Sequence, residues 1–167
     1  QCPQVELCIV ADGESESDRI VGLQQATAGL PKTPIADESV GTAMLYSSGT
    51  TGRPKGILRP LAEQPPLQNL PIFDFLDKLW HYREGMIYLS PAPLYHSAPQ
   101  AAVNLTIRMG GTAIIMESFD PERYLQLIET YAVTHSQLVP TMFSRMLKLP
   151  ETVRRRYDLS SLEIAIH

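Results

Sequence analysis

Ten residues, Ser47-Ser48-Gly49-Thr50-Thr51-Gly52-Arg53-Pro54-Lys55-Gly56, place four hydroxyls, three glycines and one lysine directly after an apolar segment. Glycines let a backbone approach an anion and turn its N–H groups toward it, and hydroxyls add rotatable donors. Lys55 supplies a positive charge where phosphates carry several negative ones. The combination suits a polyphosphate cradle. A surface loop that binds nothing is also rich in Gly, Ser and Thr, but the ordered alternation closing on Pro-Lys-Gly is more specific than that. It is not a Walker A loop, which needs Gly, four residues, Gly-Lys and then Ser or Thr. Here Lys55 is followed by Gly56, leaving no hydroxyl to hold magnesium. Pro54 also biases Arg53 away from helix, so the loop cannot run smoothly into one.

A second constellation is Pro93-Leu94-Tyr95-His96-Ser97. The His96 imidazole can donate a hydrogen bond to a carboxylate, although a lone histidine after a tyrosine is more often structural. His81 and His135 read as a helix-end surface residue and a strand-start residue. Cys2 and Cys8 match neither a zinc knuckle nor a CxxC pair and read as small hydrophobes. Arg154-Arg155-Arg156, between Glu151 and Asp158, reads as a solvated helix end rather than an anion site.

The elements that must carry these residues follow from periodicity. Strands are predicted at Val5 to Val10, Thr42 to Tyr46, Met86 to Leu89, Thr112 to Met116, Val133 to Leu138 and Leu162 to Ile166. Arg19 to Gly29 has moderate helical character. Ala62 to Pro71 is the best linker. Ile72, Phe73, Leu76, Leu79 and Trp80 share one helix face. Further helices are predicted at Ser97 to Met109, closed by Gly110-Gly111, from Asp120-Pro121-Glu122 to about Tyr131, and at Thr141 to Leu149. Four strands alternating with three helices from Met86 onward predict an α/β fold, a doubly wound parallel sheet with helices on both faces. Ligands bind outside the carboxyl ends of such strands, and the loops after Tyr46, Leu89 and Leu138 all lie there.

Composition narrows the function. The 167 residues hold 14 Lys and Arg against 18 Asp and Glu, a net charge of -4, with 44% hydrophobic residues. That is ordinary globular usage. No basic stripe supports nucleic-acid binding. No apolar run reaches the roughly 18 residues of a membrane span, and no signal peptide opens the chain, so a cytoplasmic setting is the expectation. The start at Gln1 without Met and the close on an apolar alternation suggest a piece of something longer.

The loop 47–56 resembles the phosphate-loop motif of the AMP-forming acyl-CoA synthetases, within the adenylate-forming enzymes, at every position. Pro93-Leu94-Tyr95-His96-Ser97 is similar to a second motif of that family, forty residues downstream. Gly110-Gly111-Thr112, Phe119-Asp120-Pro121, Val133-Thr134-His135 and Val139-Pro140-Thr141 are similar in flavour, and the likeness is loosest before Asp37. It implies part of the larger N-terminal domain of an adenylate-forming enzyme. Residues 1–61 would end a first sub-domain that includes the phosphate loop, and 62–167 would form a second α/β sub-domain, incomplete at its C-terminus.

The resemblance implies ATP-dependent activation of a carboxylic acid to an acyl-adenylate, followed by thioester formation with CoA. Ser47, Ser48, Gly49, Thr50, Thr51, Gly52 and Lys55 would hold the ATP phosphates, with Thr50 near Mg2+ and no metal ligand assigned outright. Tyr95, His96, Ser97 and Ala98 would line the acyl site, with His96 and Lys55 as the catalytic pair. Peptide synthetase relatives usually carry Phe-Asp, any residue, Ser at this motif, so an amino-acid substrate is disfavoured. Ala98, Ala101, Ala102, Val139, Met142 and Phe143 would suit a fatty or aromatic acid, the alternative for each being ordinary core. Glu117-Ser118 stands where many relatives place a lysine for CoA, which leaves a carrier-protein thiol open. The implied partners are a small carboxylic acid and CoA, and a homodimer is compatible with the sequence. The family's remaining machinery has no counterpart here, so the chain is expected to be inactive alone. A non-catalytic nucleotide-binding or interaction module is the competing class.

Overall fold

The computed structural model describes residues 4–13, 19–41, 43–47, 52–58, 60, 61, 64–66, 68 and 71–167. The chain divides into two compact units, 1–39 and 40–167. In the first, β1 (Cys8–Val10) and β2 (Ile20–Gly22) pair in parallel, and α1 (Leu23–Thr27) follows β2. The strand expected from Val5 is shorter than its apolar run, and the stretch from Arg19 divides into a strand and one helical turn.

The second unit opens on β3 (Leu45–Ser47) and β4 (Lys55–Ile57), which pair antiparallel with Leu45 opposite Ile57, Tyr46 opposite Gly56 and Ser47 opposite Lys55. The last two residues of the glycine-rich segment are therefore strand rather than loop. Gly56 belongs there because a Cβ would lie 2.7 Å from Met44 Cε and 3.2 Å from Tyr46 Cε1.

From residue 71 the elements follow the predicted alternation: α2 (Pro71–Trp80), β5 (Ile87–Ser90), α3 (Ser97–Arg108), β6 (Thr112–Ile115), α4 (Pro121–Tyr131), β7 (His135–Gln137), α5 (Pro140–Leu147), α6 (Glu151–Arg154) and β8 (Ile164–Ile166). The four strands form a parallel sheet in the order β6-β5-β7-β8. The chain thus runs outward from β5 to β6 and returns to lay β7 on the other side of β5. That reversal makes the gap between the carboxyl ends of β5 and β7 the topological switch point, where open α/β sheets bind ligands.

Two apolar clusters cover the two faces, as a doubly wound sheet requires. Leu89 packs with Tyr124, Leu125 and Ile128 of α4 and Met142 of α5. Its neighbour Tyr88 points the other way, to Ala102 and Val103 of α3 with Tyr82, Met86 and Ile166. This is the period-two alternation of a strand buried on both sides. Each fully buried Leu or Ile contributes roughly 1.5–3 kcal/mol.

Local signals set the helix ends. Asp120 Oδ1 accepts the Arg123 N–H at 2.7 Å, with Pro121 at the first helical position. Gly110, with φ of 78°, takes the left-handed turn after α3. Gly111 is held by crowding: a Cβ there would lie 2.7 Å from Met86 Cγ and 2.9 Å from the Met86 carbonyl oxygen. The α2 stripe is only partly covered, with Leu76 buried while Ile72 and Leu79 stay about half exposed at 49% and 50%. The basic run is a solvated, ion-paired surface: Arg155 meets Glu151 at 2.6 Å and Arg156 meets Glu122 at 2.9 Å.

Candidate functional site

The first component is the β3–β4 pair. Its register sets the Ser47 and Lys55 backbones opposite one another, so the segment between them leaves and re-enters the pair at a single rung. Gly52 within it has φ of 79°, a backbone state that L side chains rarely adopt. Lys55 is exposed, and no described residue hydrogen-bonds or ion-pairs with its side chain. Ser48, Gly49, Thr50 and Thr51 lie outside the described residues.

The second component is the turn after β5. Ser90 ends the strand, and the His96 N–H closes a turn by donating to the Pro93 carbonyl at 3.2 Å. His96 is the N-cap of α3: its carbonyl accepts the Gln100 N–H at 3.2 Å, while its ring makes no cap bond. The imidazole instead lies beside the Tyr95 ring, centroids 4.5 Å apart. Tyr95 is 83% exposed, the most of any large apolar side chain described. Ser97 and Ala98 follow in the first turn of α3. The structure thus brings Tyr95, His96, Ser97 and Ala98 together at the carboxyl end of β5.

Beside this turn is a pocket of 230 Å3. Ala98, Ala101 and Ala102 of α3 form one wall, Leu76 and Trp80 of α2 another, and Gln137 and Ile166 close it from the last positions of β7 and β8. The three alanines were expected in such a lining, and their small side chains leave its volume open. Val139, Met142 and Phe143 do not join them. Met142 and Phe143 pack on the opposite face of the sheet, with Leu89 and Ile128, and Val139 is exposed. The reason is the double winding, which sends α5 to the far side from α3. A larger hollow of 680 Å3 in the first unit, lined by Asp12, Gly13 and the start of α1, has no cationic residue among the described residues of its lining, unlike a phosphate site.

Sequence reasoning missed the buried polar groups behind the pocket. His135 is fully buried. Its Nε2 lies 2.9 Å from the Trp80 carbonyl oxygen and its Nδ1 2.7 Å from Thr134 Oγ1. A carbonyl only accepts, so Nε2 carries the proton; in the neutral ring Nδ1 is an acceptor that shares the single Thr134 hydroxyl proton with the Ile87 carbonyl, 3.1 Å from the same oxygen. Burial holds the imidazole below the ordinary histidine range, partly opposed by the Trp80 carbonyl. Burial likewise pushes the Tyr82 phenol up to about 12 and the Tyr88 phenol higher still, so neither is a proton donor of use near neutrality. The available signal was the strand itself: His135 and Gln137, two apart in a buried parallel strand, must both face inward.

The family model described as AMP-binding enzyme matches residues 1–166. The chain is 30% identical over 165 residues to 4-coumarate--CoA ligase 5 of Oryza sativa subsp. japonica, covering 97% of this chain and 30% of that protein. It is 32% identical over 127 residues to the medium/long-chain-fatty-acid--CoA ligase FadD8 of Mycobacterium tuberculosis, covering 76% of this chain and 20% of that one. Among solved structures, ATP-bound MatB from Rhodopseudomonas palustris aligns with a TM-score of 0.59 at 25% identity, over 87% of this chain and 29% of that chain. The chain therefore spans about a third or less of the length of each of these proteins. With the doubly wound sheet, the matched family model and ligase relatives aligned along it, the chain belongs to the family of AMP-binding enzymes.

Proposed function

We propose that this chain is the part of an acid–thiol ligase that holds the ATP phosphates and receives part of the acid. A carboxylate oxygen of the substrate attacks the α-phosphorus of ATP, the bond to the bridging oxygen breaks, and pyrophosphate leaves with the electron pair. The thiol sulfur of CoA then attacks the acyl carbon and AMP departs. Pyrophosphate gathers charge as it leaves, and donors already in place stabilise it without reorganising. Ser47, Ser48, Gly49, Thr50, Thr51, Gly52 and Lys55 have that role. His96 donates to the acid's carboxylate, and Tyr95, Ser97 and Ala98 border the acyl site.

The observation that carries this reading is the register of Ser47 opposite Lys55, which brings the two ends of the Ser/Thr/Gly segment side by side. The pocket beside Ala98 supports an acid with an apolar body, fatty or aromatic, and the relatives' names span the same two classes. The ATP-bound state named for the MatB structure supports ATP as the nucleotide. Mg2+ would be carried mainly by the substrate phosphates, with Thr50 as its protein contact. Residues 1–61 end one sub-domain and 62–167 belong to the next, and turnover belongs to a longer enzyme of which this chain is the phosphate-binding and acyl-lining part.

Calorimetric titration with ATP and with a non-hydrolysable acyl-adenylate analogue tests the reading. Both should bind, the analogue more tightly because it occupies both components. If neither binds this chain or the longer enzyme, the reading fails.

A further inference from the structure

Among the described residues four buried side-chain polar atoms have no hydrogen-bond partner: Tyr88 Oη, Ser90 Oγ, Tyr124 Oη and Gln137 Oε1. Of these four residues, only Gln137 lines the pocket beside Ala98. Apart from the Tyr82 phenol, the rest of the described lining is hydrocarbon or indole. No described residue hydrogen-bonds either end of the Gln137 amide. A buried amide oxygen without a partner costs roughly 1–3 kcal/mol, and a Leu or Val at the end of β7 would avoid that cost. The strand places this side chain at the switch point, two residues beyond His135 on the face that α3 covers.

We propose that Gln137 is a specificity-determining residue that selects acids whose apolar end carries a hydroxyl. This rests on the reading that the pocket receives the acid. The terminal torsion of glutamine is broad and two-fold, so the amide can present either its oxygen or its NH2 group. A hydroxyl both donates and accepts, and therefore pairs with the amide in either orientation. An ether only accepts and a methyl does neither. Volume limits the skeleton: an apolar cavity of about 150 Å3 takes a benzene ring, so 230 Å3 takes one ring and a few further atoms.

The chain's single tryptophan, Trp80, is a pocket wall and reports occupancy by its fluorescence without needing ATP. The probes are 3-phenylpropanoic acid, its 4-hydroxy derivative and its 4-methoxy derivative, titrated into the 167-residue chain. The 4-hydroxy acid should bind about tenfold more tightly than the unsubstituted acid, the worth of one net hydrogen bond. Gln137→Leu should bring the acids to the same affinity while keeping the unsubstituted one bound. Gln137→Met, close in shape, repeats the test should the leucine variant fold poorly. Ala101→Phe, at an exposed position on the pocket wall, should weaken all three acids together. Equal affinities in the native chain, or no quenching by any of them, would overturn the assignment. ATP binding measured on the same sample separates that result from failure of the adenylation reading, which predicts nucleotide binding whatever the pocket prefers.

Discussion

His135, the first residue of β7, and Trp80, the last residue of α2, are joined by a hydrogen bond of 2.9 Å from the imidazole Nε2 to the indole residue's carbonyl oxygen. The bond ties a helix end to the middle of the sheet and fixes one wall of the pocket. It also makes the fold sensitive to acid. The unfolded ring titrates near its ordinary 6.5, whereas burial lowers the folded value. The neutral ring's contribution is complete above that unfolded value and is lost as pH falls through the folded one. Arg83 adds to the depression and Glu163 opposes it. Urea midpoints should therefore fall as pH drops below about 6.5, and His135→Gln, which keeps a donor but cannot titrate, should flatten that decline. An unchanged slope in the variant would remove His135 as its cause.

Ala132 ends α4 in the left-handed region, with φ of 49°, while the Val133 N–H returns to the Ile128 carbonyl at 3.0 Å. A Cβ in that conformation costs roughly 1–2 kcal/mol, and glycine is free of it. Glycine also loses more freedom on folding, so the net expectation for Ala132→Gly is a gain of about 0.5–1 kcal/mol. Denaturant unfolding checks this, and a destabilised variant would show that the methyl group's contacts matter more than the strain.

Gly111 presents the reverse case. Its Cβ would meet the Met86 carbonyl oxygen at 2.9 Å and Thr106 Cγ2 at 2.9 Å, and backbone cannot step aside as a side-chain end can. Gly111→Ala should cost about 1–3 kcal/mol by overpacking. A thermal midpoint equal to that of the native chain would mean that α3 and β5 separate more easily than their packing implies.

Lys55 and His96 should separate in their effects. On the proposed reading, Lys55→Ala removes a charge-assisted bond to phosphate worth about 1.5–3 kcal/mol, a loss of ATP affinity of about ten- to a hundredfold. His96→Ala should leave ATP affinity as it is and weaken the acyl-adenylate analogue. Calorimetry with both ligands reads the two losses independently, and a His96 variant that loses ATP binding would redraw the site.

Much of the fold was legible before any coordinates. The βα alternation from Met86 onward, the Asp120 cap and the Gly110 turn are local patterns, decided by residues within a few positions of one another, and they recur as expected. The motif of residues 47–56 is local in the same way, since its hydroxyls, glycines and lysine are adjacent in the chain, but Ser48 to Thr51 lie outside the described residues. Strand order could not be read this way. Which side of β5 receives β7 depends on how α3 and α4 choose opposite faces, and it joins segments 47 positions apart. That choice sent Met142 and Phe143 away from the pocket and brought Gln137 to it. It also buried His135 against a carbonyl 55 positions upstream. A polar side chain in an apolar strand announces itself in sequence, but whether it meets a partner, a solvent boundary or an empty pocket is a fact of the tertiary structure alone.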